Sequence, residues 1–274
     1  MIEVFLCIVK LGAIGTSVLI EYLFDELADR KIKIRVFSTG SKMKDAEESE
    51  FESIVKLNPD LILLVTPSAH TAGPRKAIEI LKKRRLIVIT NEITEEFEDH
   101  LRDEGIGYIV VEADSMIGAR REFLDPTEMC IYNSDIIKVL SVTGVFRLIQ
   151  FEVDRIIRNL DKKIELPRIR VNSMIATEFS GLKNPYARSK AMAAYEIASL
   201  VSKISVEACY KEKNRKNYTL LASTSHELMR IAAKLSDEAR EIEKYNDTVL
   251  RTPHAKNGKI LGKEKLLEDL RTLK

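Results

Sequence analysis

The stretch "VFLCIVKLGAIGTS" (residues 4–17) places two glycines, Gly12 and Gly15, and the hydroxyls of Thr16 and Ser17 directly after an apolar run. Glycine lets a backbone turn sharply and approach a ligand closely. A threonine or serine can cap the helix that follows, whose first amides form an anion site. The chemistry on offer is the holding of a phosphate or another anion. The spacing G-x-x-G is not the dinucleotide fingerprint G-x-G-x-x-G, and no P-loop lysine follows. The turn therefore reads either as a ligand cradle or as an ordinary strand-to-helix turn. Elsewhere the common catalytic constellations are missing. His70, His100, His226 and His254 are too scattered for a metal site of known spacing, and there is no G-x-S-x-G elbow. His226, in "STSHELMR", reads as a residue at a helix start that could face a cleft or simply cap or cover a surface. Asp114, Glu122, Asp125 and Glu128 flank "GARREFLDP", where a helix start collects acidic side chains in any case. A polar cleft without a general-base signature or metal box suits a reaction whose cofactor carries the difficulty, such as hydride transfer.

The elements that would position these residues alternate. After the opening strand come "KIRVFST" (33–39), "DLILLVT" (60–66), "RLIVIT" (85–90) and "GYIVV" (107–111), separated by helical patterns over 17–28, 45–57, 74–82 and 94–104. This order predicts an α/β fold, a mainly parallel open sheet with helices on both faces and Val4 to Val9 as an interior strand. Ligands of such sheets bind beyond the carboxyl ends of the strands. Those ends read "KLGAIGTS", "STGSKM", "TPSAHTAGP", "TNEIT" and "VEADSMIGARR", rich in Gly, Ser and Thr. From Asp125 the pattern turns helical. One amphipathic helix is expected from near Pro126 to about Leu160, bent at Gly144, and a second over 184–203, capped by Asn184 with Pro185 in its first turn. "ISVEACY" and "YTLLAST" predict a small β-hairpin around the basic loop Lys211 to Asn217, before a third helix from about Ser225 to Asn246. The tail has turn signals and one short helical stretch. The expected organisation is an α/β ligand-binding region over 1–125, a helical bundle region over 126–246 and a tail over 247–274.

Composition sets the frame. The 274 residues are 45% hydrophobic and 31% charged, with a net charge of +2, which gives no overall pull towards nucleic acid or an anionic membrane. "KKRR" (82–85) and "KEKNRK" (211–216) read as solvated faces or loop tips. Cys7, Cys130 and Cys209 are odd in number and far apart, as small core residues rather than a disulfide framework. No apolar run is long enough to span a bilayer and no secretory signal precedes the first strand, so a cytoplasmic location is expected.

Four long strings, "GIGYIVVEADSMIGARREFLDPTEM", "NSDIIKVLSVTGVFR", "NPYARSKAMAAYEIA" and "SHELMRIAAKLSDEAREIEKYNDTVLRTPHAKNGKIL", closely resemble the F-420-dependent methylenetetrahydromethanopterin dehydrogenase family of methanogenic archaea. The similarity runs nearly end to end and includes "GAIGTS" and "DELADR". It implies reversible hydride transfer between the methylene carbon of the tetrahydromethanopterin carrier and the deazaflavin ring of coenzyme F-420. It implies no metal, and a homohexamer built as a trimer of dimers. Carried onto this chain, it implies a cofactor cleft lined by Gly12, Ala13, Ile14, Gly15, Thr16, Ser17, Lys42, Ala72, Gly73 and Pro74. Arg120, Arg121, Glu122, His226 and Arg230 are implied as carrier or subunit contacts, and no catalytic residue is assigned. The departures from the family pattern sit at strand ends: Leu11 and Ala13 replace a cysteine and an asparagine, "TPSAHTAGP" lacks two prolines and an asparagine, and "TNEIT" stands where the family has G-D-A-P-G. That concentration suggests a diverged paralogue. It leaves open a repurposed pterin binder and a structural subunit of a mixed oligomer.

Overall fold

Strands built from unbroken runs of Leu, Ile and Val have no polar face to offer water, so they must be covered on both sides. A computed structural model of the chain describes residues 3–24, 31–44, 46–117, 125–162, 164–255, 257 and 259–272. It shows a six-stranded sheet in the order β2-β1-β3-β4-β5-β6. The strands are β1 (Val4–Lys10), β2 (Ile32–Ser38), β3 (Leu61–Ser68), β4 (Leu86–Glu92), β5 (Gly107–Val111) and β6 (Arg168–Val171). All five pairings are parallel, with Ile8 opposite Leu63 and Val36, and Ile89 opposite Val65 and Ile109. The expected interior position of β1 holds. Five or six strands were expected from the residues up to about Asp125; the sixth comes instead from the otherwise helical stretch after it.

Alternation along each strand divides the core. Cys7, Val9, Ile62, Leu64, Leu86 and Val88 pack beneath α2 (Glu48–Lys56), α3 (Ala72–Leu81) and α4 (Glu95–Asp103), through Phe51, Ile78 and Phe97. Leu6, Ile8, Leu63, Val65, Ile87 and Ile89 face the other layer. There α1 (Gly15–Leu19) meets the helical half: α5 (Pro126–Thr143), α6 (Val145–Ile157), α7 (Ser173–Ser180), α8 (Pro185–Val206) and α9 (Arg215–Tyr245). Of the helix expected over 17–28, the part up to Phe24 is a helix and turn, and residues 25–28 lie outside the described residues.

Three expectations are corrected. The helix expected to run on from Pro126 is two, because Gly144 adopts φ +100° and a Cβ there would overlap the carbonyl of Ala176 and the amide of Ser180. The hairpin around Lys211 is helical: α8 runs into a π-helical segment, Glu207–Lys211, and α9 begins at Arg215, so His226 lies well inside that helix. Ala198, Ser202, Ser205 and Ala208 are all buried at helical spacing, and that face outweighs the strand propensity of the Val, Tyr and Thr residues nearby. Asn214 makes the break, its side chain accepting from the amides of Lys216 and Asn217. The small antiparallel hairpin is found instead in the tail, where β7 (Leu261–Gly262) pairs with β8 (Arg271–Thr272), and the short helix expected there is only a turn.

The tail is strapped down by polar contacts. His254 Nε2 lies 2.6 Å from Asp154 Oδ2 on α6, both side chains buried. Glu243 of α9 accepts from the amides of Lys183 and Asn184 at 2.8 and 2.7 Å, and from the Thr248 hydroxyl. Since Gly144 meets backbone rather than movable side chains, Gly144→Ala should lower stability by about 2 kcal/mol or more. The urea midpoint should fall at unchanged slope, and an unchanged midpoint would mean the α5–α6 junction can relax.

Candidate functional site

In the strand order β2-β1-β3 the chain leaves β1 in one direction and returns on the other side, so the crevice at the ends of β1 and β3 is a topological switch point, where open sheets bind ligands. Gly12 lies there at φ +79°, a conformation that favours glycine. A Cβ on it would stand 2.7 Å from Met43 Cγ and 3.0 Å from Pro67 Cδ. Its amide donates to Thr39 Oγ1 at 3.3 Å. Met43 also accepts a long hydrogen bond from Thr71 at 4.0 Å, and its carbonyl would overlap a Cβ on Gly73. The loop after β2 thus draws together Gly12, the exposed Lys42 and the start of α3, where Ala72 is exposed, Gly73 half-buried and Pro74 buried. Met43 has no chemistry of its own and could not have been read as the hinge of this cluster.

The inner half of the β1–α1 turn points elsewhere. Ile14, Gly15, Thr16 and Ser17 are all buried, and a Cβ on Gly15 would overlap Cγ2 of Ile136 on α5. The Thr16 amide donates to both oxygens of Asp114, at 3.2 and 3.0 Å. That internal carboxylate takes the helix start which the sequence offered to an external anion. Burial pushes the Asp114 carboxyl up to about 7, although hydrogen bonds from the Thr16 and Gly15 backbone favour its charged form. The same exit from β5 holds the turn through the Ile14–Met116 bridge and a 2.9 Å bond from the Ile117 amide to the Ala13 carbonyl. Gly12 is itself buried beneath Met43 and Pro67, so half-exposed Ala13 is the part of the turn that remains towards the crevice.

Next to these strand ends, a pocket of about 240 Å³ opens between β4–β6 and α8, lined by Asn91, Glu92, Glu112, Ser199, Ser202 and Lys203 among others. Asn91 fixes its wall, donating to the carbonyls of Val111 and Glu112 at 3.1 and 3.0 Å and accepting from Ser202 at 2.7 Å. His226 stacks on Tyr132, centroids 4.3 Å apart, with Nδ1 3.6 Å from Glu128. Burial holds its imidazole below the usual value, against the pull of Glu128. Tyr132 in turn bonds Ser115 at 3.0 Å and Ser205 at 3.4 Å. Arg230, one turn beyond His226, is exposed and 4.0 Å from Glu227. Arg120, Arg121 and Glu122 lie outside the described residues. Among those described, no group of three or more His, Cys, Asp or Glu could hold a metal ion, and no helix is long and apolar enough to cross a membrane.

Fold and crevice together define an α/β ligand-binding protein whose strand ends face a helical bundle. The family model for methylene-5,6,7,8-tetrahydromethanopterin dehydrogenase matches residues 4–271. The chain is 49% identical over 263 residues to the F-420-dependent methylenetetrahydromethanopterin dehydrogenase of Archaeoglobus fulgidus, covering 95% of this chain and 96% of that one. It is 44% identical over 266 residues to the enzyme of the same name from Methanothermobacter thermautotrophicus, again covering 95% and 96%. It superimposes with a TM-score of 0.90 and 40% identity on a solved F-420-dependent methylene-tetrahydromethanopterin dehydrogenase in complex with methylene-tetrahydromethanopterin and coenzyme F-420, covering 98% of this chain and 100% of that one. The chain belongs to the methylenetetrahydromethanopterin dehydrogenase family.

Asp114 generates a pH prediction. The unfolded chain releases this proton near 3.8 and the folded chain near 7, so between those values the folded state binds more protons. Its contribution therefore falls as pH rises across that window, by roughly 4 kcal/mol in all. Asp114→Asn should flatten the stability-against-pH curve relative to the parent between pH 4 and 7. Identical slopes for the two would show that Asp114 is already ionised when folded.

Proposed function

We propose that this chain catalyses reversible hydride transfer between methylenetetrahydromethanopterin and coenzyme F-420. The observation that carries the reading is the end-to-end likeness, at a TM-score of 0.90, to a dehydrogenase solved with both molecules. The hydride leaves the methylene carbon for the deazaflavin ring, which also takes a proton from solvent, and the carrier becomes a delocalised methenyl cation. Such a transfer asks the protein for orientation and electrostatics rather than a nucleophile or a metal. The residues present fit that demand. The β1–α1 turn reaches the crevice at Ala13, Lys42 adds a positive charge near it, and the polar wall at Asn91 is held by three hydrogen bonds. On this reading Gly12, Ala13, Lys42, Ala72 and Gly73 line the coenzyme's side. Ile14, Gly15, Thr16, Ser17 and Pro74 shape that side from behind, and His226 and Arg230 belong to the bundle wall. The proposal extends to a homohexamer, supported by the exposed apolar side chains of Tyr186 and Leu200 on α8 and of Leu220, Ile231 and Tyr245 on α9.

Absorbance of the oxidised deazaflavin tests the activity. Addition of the methylene carrier to protein and coenzyme F-420 should bleach it, and the methenyl carrier with reduced coenzyme should restore it. No change in either direction at millimolar substrates would overturn the proposal. A monomer by light scattering at micromolar concentration would remove the hexamer alone.

A further inference from the structure

The helix that Asp114 caps is too short to hold itself. α1 has five residues, and Ile14 at its N-cap offers no side-chain acceptor. A single turn of helix is unfavourable to form alone, so its opening amides need a partner from elsewhere. Asp114 presents both oxygens to the Thr16 amide, at 3.2 and 3.0 Å. The approach is close enough to require a glycine, since a Cβ on Gly15 would stand 2.8 Å from Asp114 Oδ1. Neighbouring Ser115 reaches the helical half instead, its Oγ 3.0 Å from Tyr132 Oη on α5 and 3.4 Å from Ser205 Oγ on α8. Asp114 and Ser115 are both fully buried. Two successive residues thus hold one short segment between the β1–α1 turn and the bundle. Three residues beyond Asp114, the Ile117 amide donates to the carbonyl of Ala13 at 2.9 Å and carries that hold to the residue that reaches the crevice.

We infer that Asp114 is a positioning residue for the hydride transfer: buried from any ligand, it sets through Thr16 and Gly15 where the turn stands at the crevice, and Ser115 anchors it to the bundle. This rests on the proposed function and adds to it a residue that acts only through others. Hydride transfer is sensitive to such placement, because an error of about 1 Å introduced away from the reacting atoms can cost on the order of a hundredfold in rate. Asparagine at 114 would keep the shape of the side chain but exchange one acceptor oxygen for a donor, which would then face an N–H of the turn. The turn must shift to relieve that opposition or give up a hydrogen bond.

Single-turnover hydride transfer per folded molecule, read by deazaflavin absorbance at saturating carrier and coenzyme, tests this alongside amide exchange of residues 11–20. The proteins compared are the parent, Asp114→Asn, Ser115→Ala and Gly144→Ala. Asp114→Asn should slow the transfer about tenfold or more and Ser115→Ala about threefold, with both KM values changed less than the rate. Both variants should speed exchange in residues 11–20. Gly144→Ala weakens the fold at the α5–α6 junction, away from the turn, and should transfer hydride at the parent rate, which separates positioning from lost stability. Parent-like transfer in Asp114→Asn, or equal slowing in Gly144→Ala, would overturn the inference. If Asp114→Asn does not fold, Ser115→Ala decides by the same readouts: a slower transfer with faster local exchange supports the assignment, and parent values overturn it. A parent that transfers no hydride removes the dehydrogenase reading and the rate effect with it, whereas faster exchange in the variants would still show that Asp114 holds the turn.

Discussion

A carboxylate buried against the first amides of a helix satisfies donors that water cannot reach, and Asp114 does this for α1 from 98 residues away. The contact closes the site's geometry at its centre. It ties the β1–α1 turn to the exit of β5, a link reinforced by the Ile14–Met116 bridge, and presses Gly15 onto α5. With α1 sealed from within, a ligand at the switch point meets the turn at Ala13 and the loops beyond β2 and β3. Anionic groups must then find exposed cations such as Lys42 rather than the amides of α1.

The helical half answers to the same constraint. Its helices cover one face of the sheet, and α8 runs past the ends of β4 and β5 so that Ser202 reaches Asn91 and Ser205 reaches Ser115 and Tyr132. Small side chains make this close approach possible: Ala194, Ala198, Ser199, Ser202 and Ser205 lie along the buried face of α8. The same run that packs the bundle therefore lines a polar pocket. Packing and recognition are carried by one helix face, which couples any repacking of α8 to the site.

Much of this was legible from local patterns. Unbroken apolar runs announced β1, β3, β4 and β5, Asn184-Pro185 announced the capped start of α8, and Pro126 the start of α5, which Asp125 caps. The sixth strand, "RIRV", escaped because it is four residues long at the sheet edge and carries two arginines. The hairpin around Lys211 was misread because Val, Tyr and Thr dominate a short window, while the helical register that overrides them depends on burial against other elements. The glycine turn was visible, but which of its faces meets a ligand was not. That depends on Asp114, whose place beside "GARREFLDP" suggested only an acidic helix start. Asn91, Ser199 and Ser202 escaped for a related reason, since an unpaired hydroxyl in an alanine-rich helix has no signature until the pocket exists.

Hydride departure leaves positive charge on the carrier, and a site serves the reaction best when its field favours that charge where it forms. The two sides of the crevice differ in this respect. Lys42 stands beside the outer turn, whereas Glu92 and the Arg170-paired Glu112 stand at the ends of β4 and β5. The strand ends thus carry charge of opposite sign towards the two ends of the crevice.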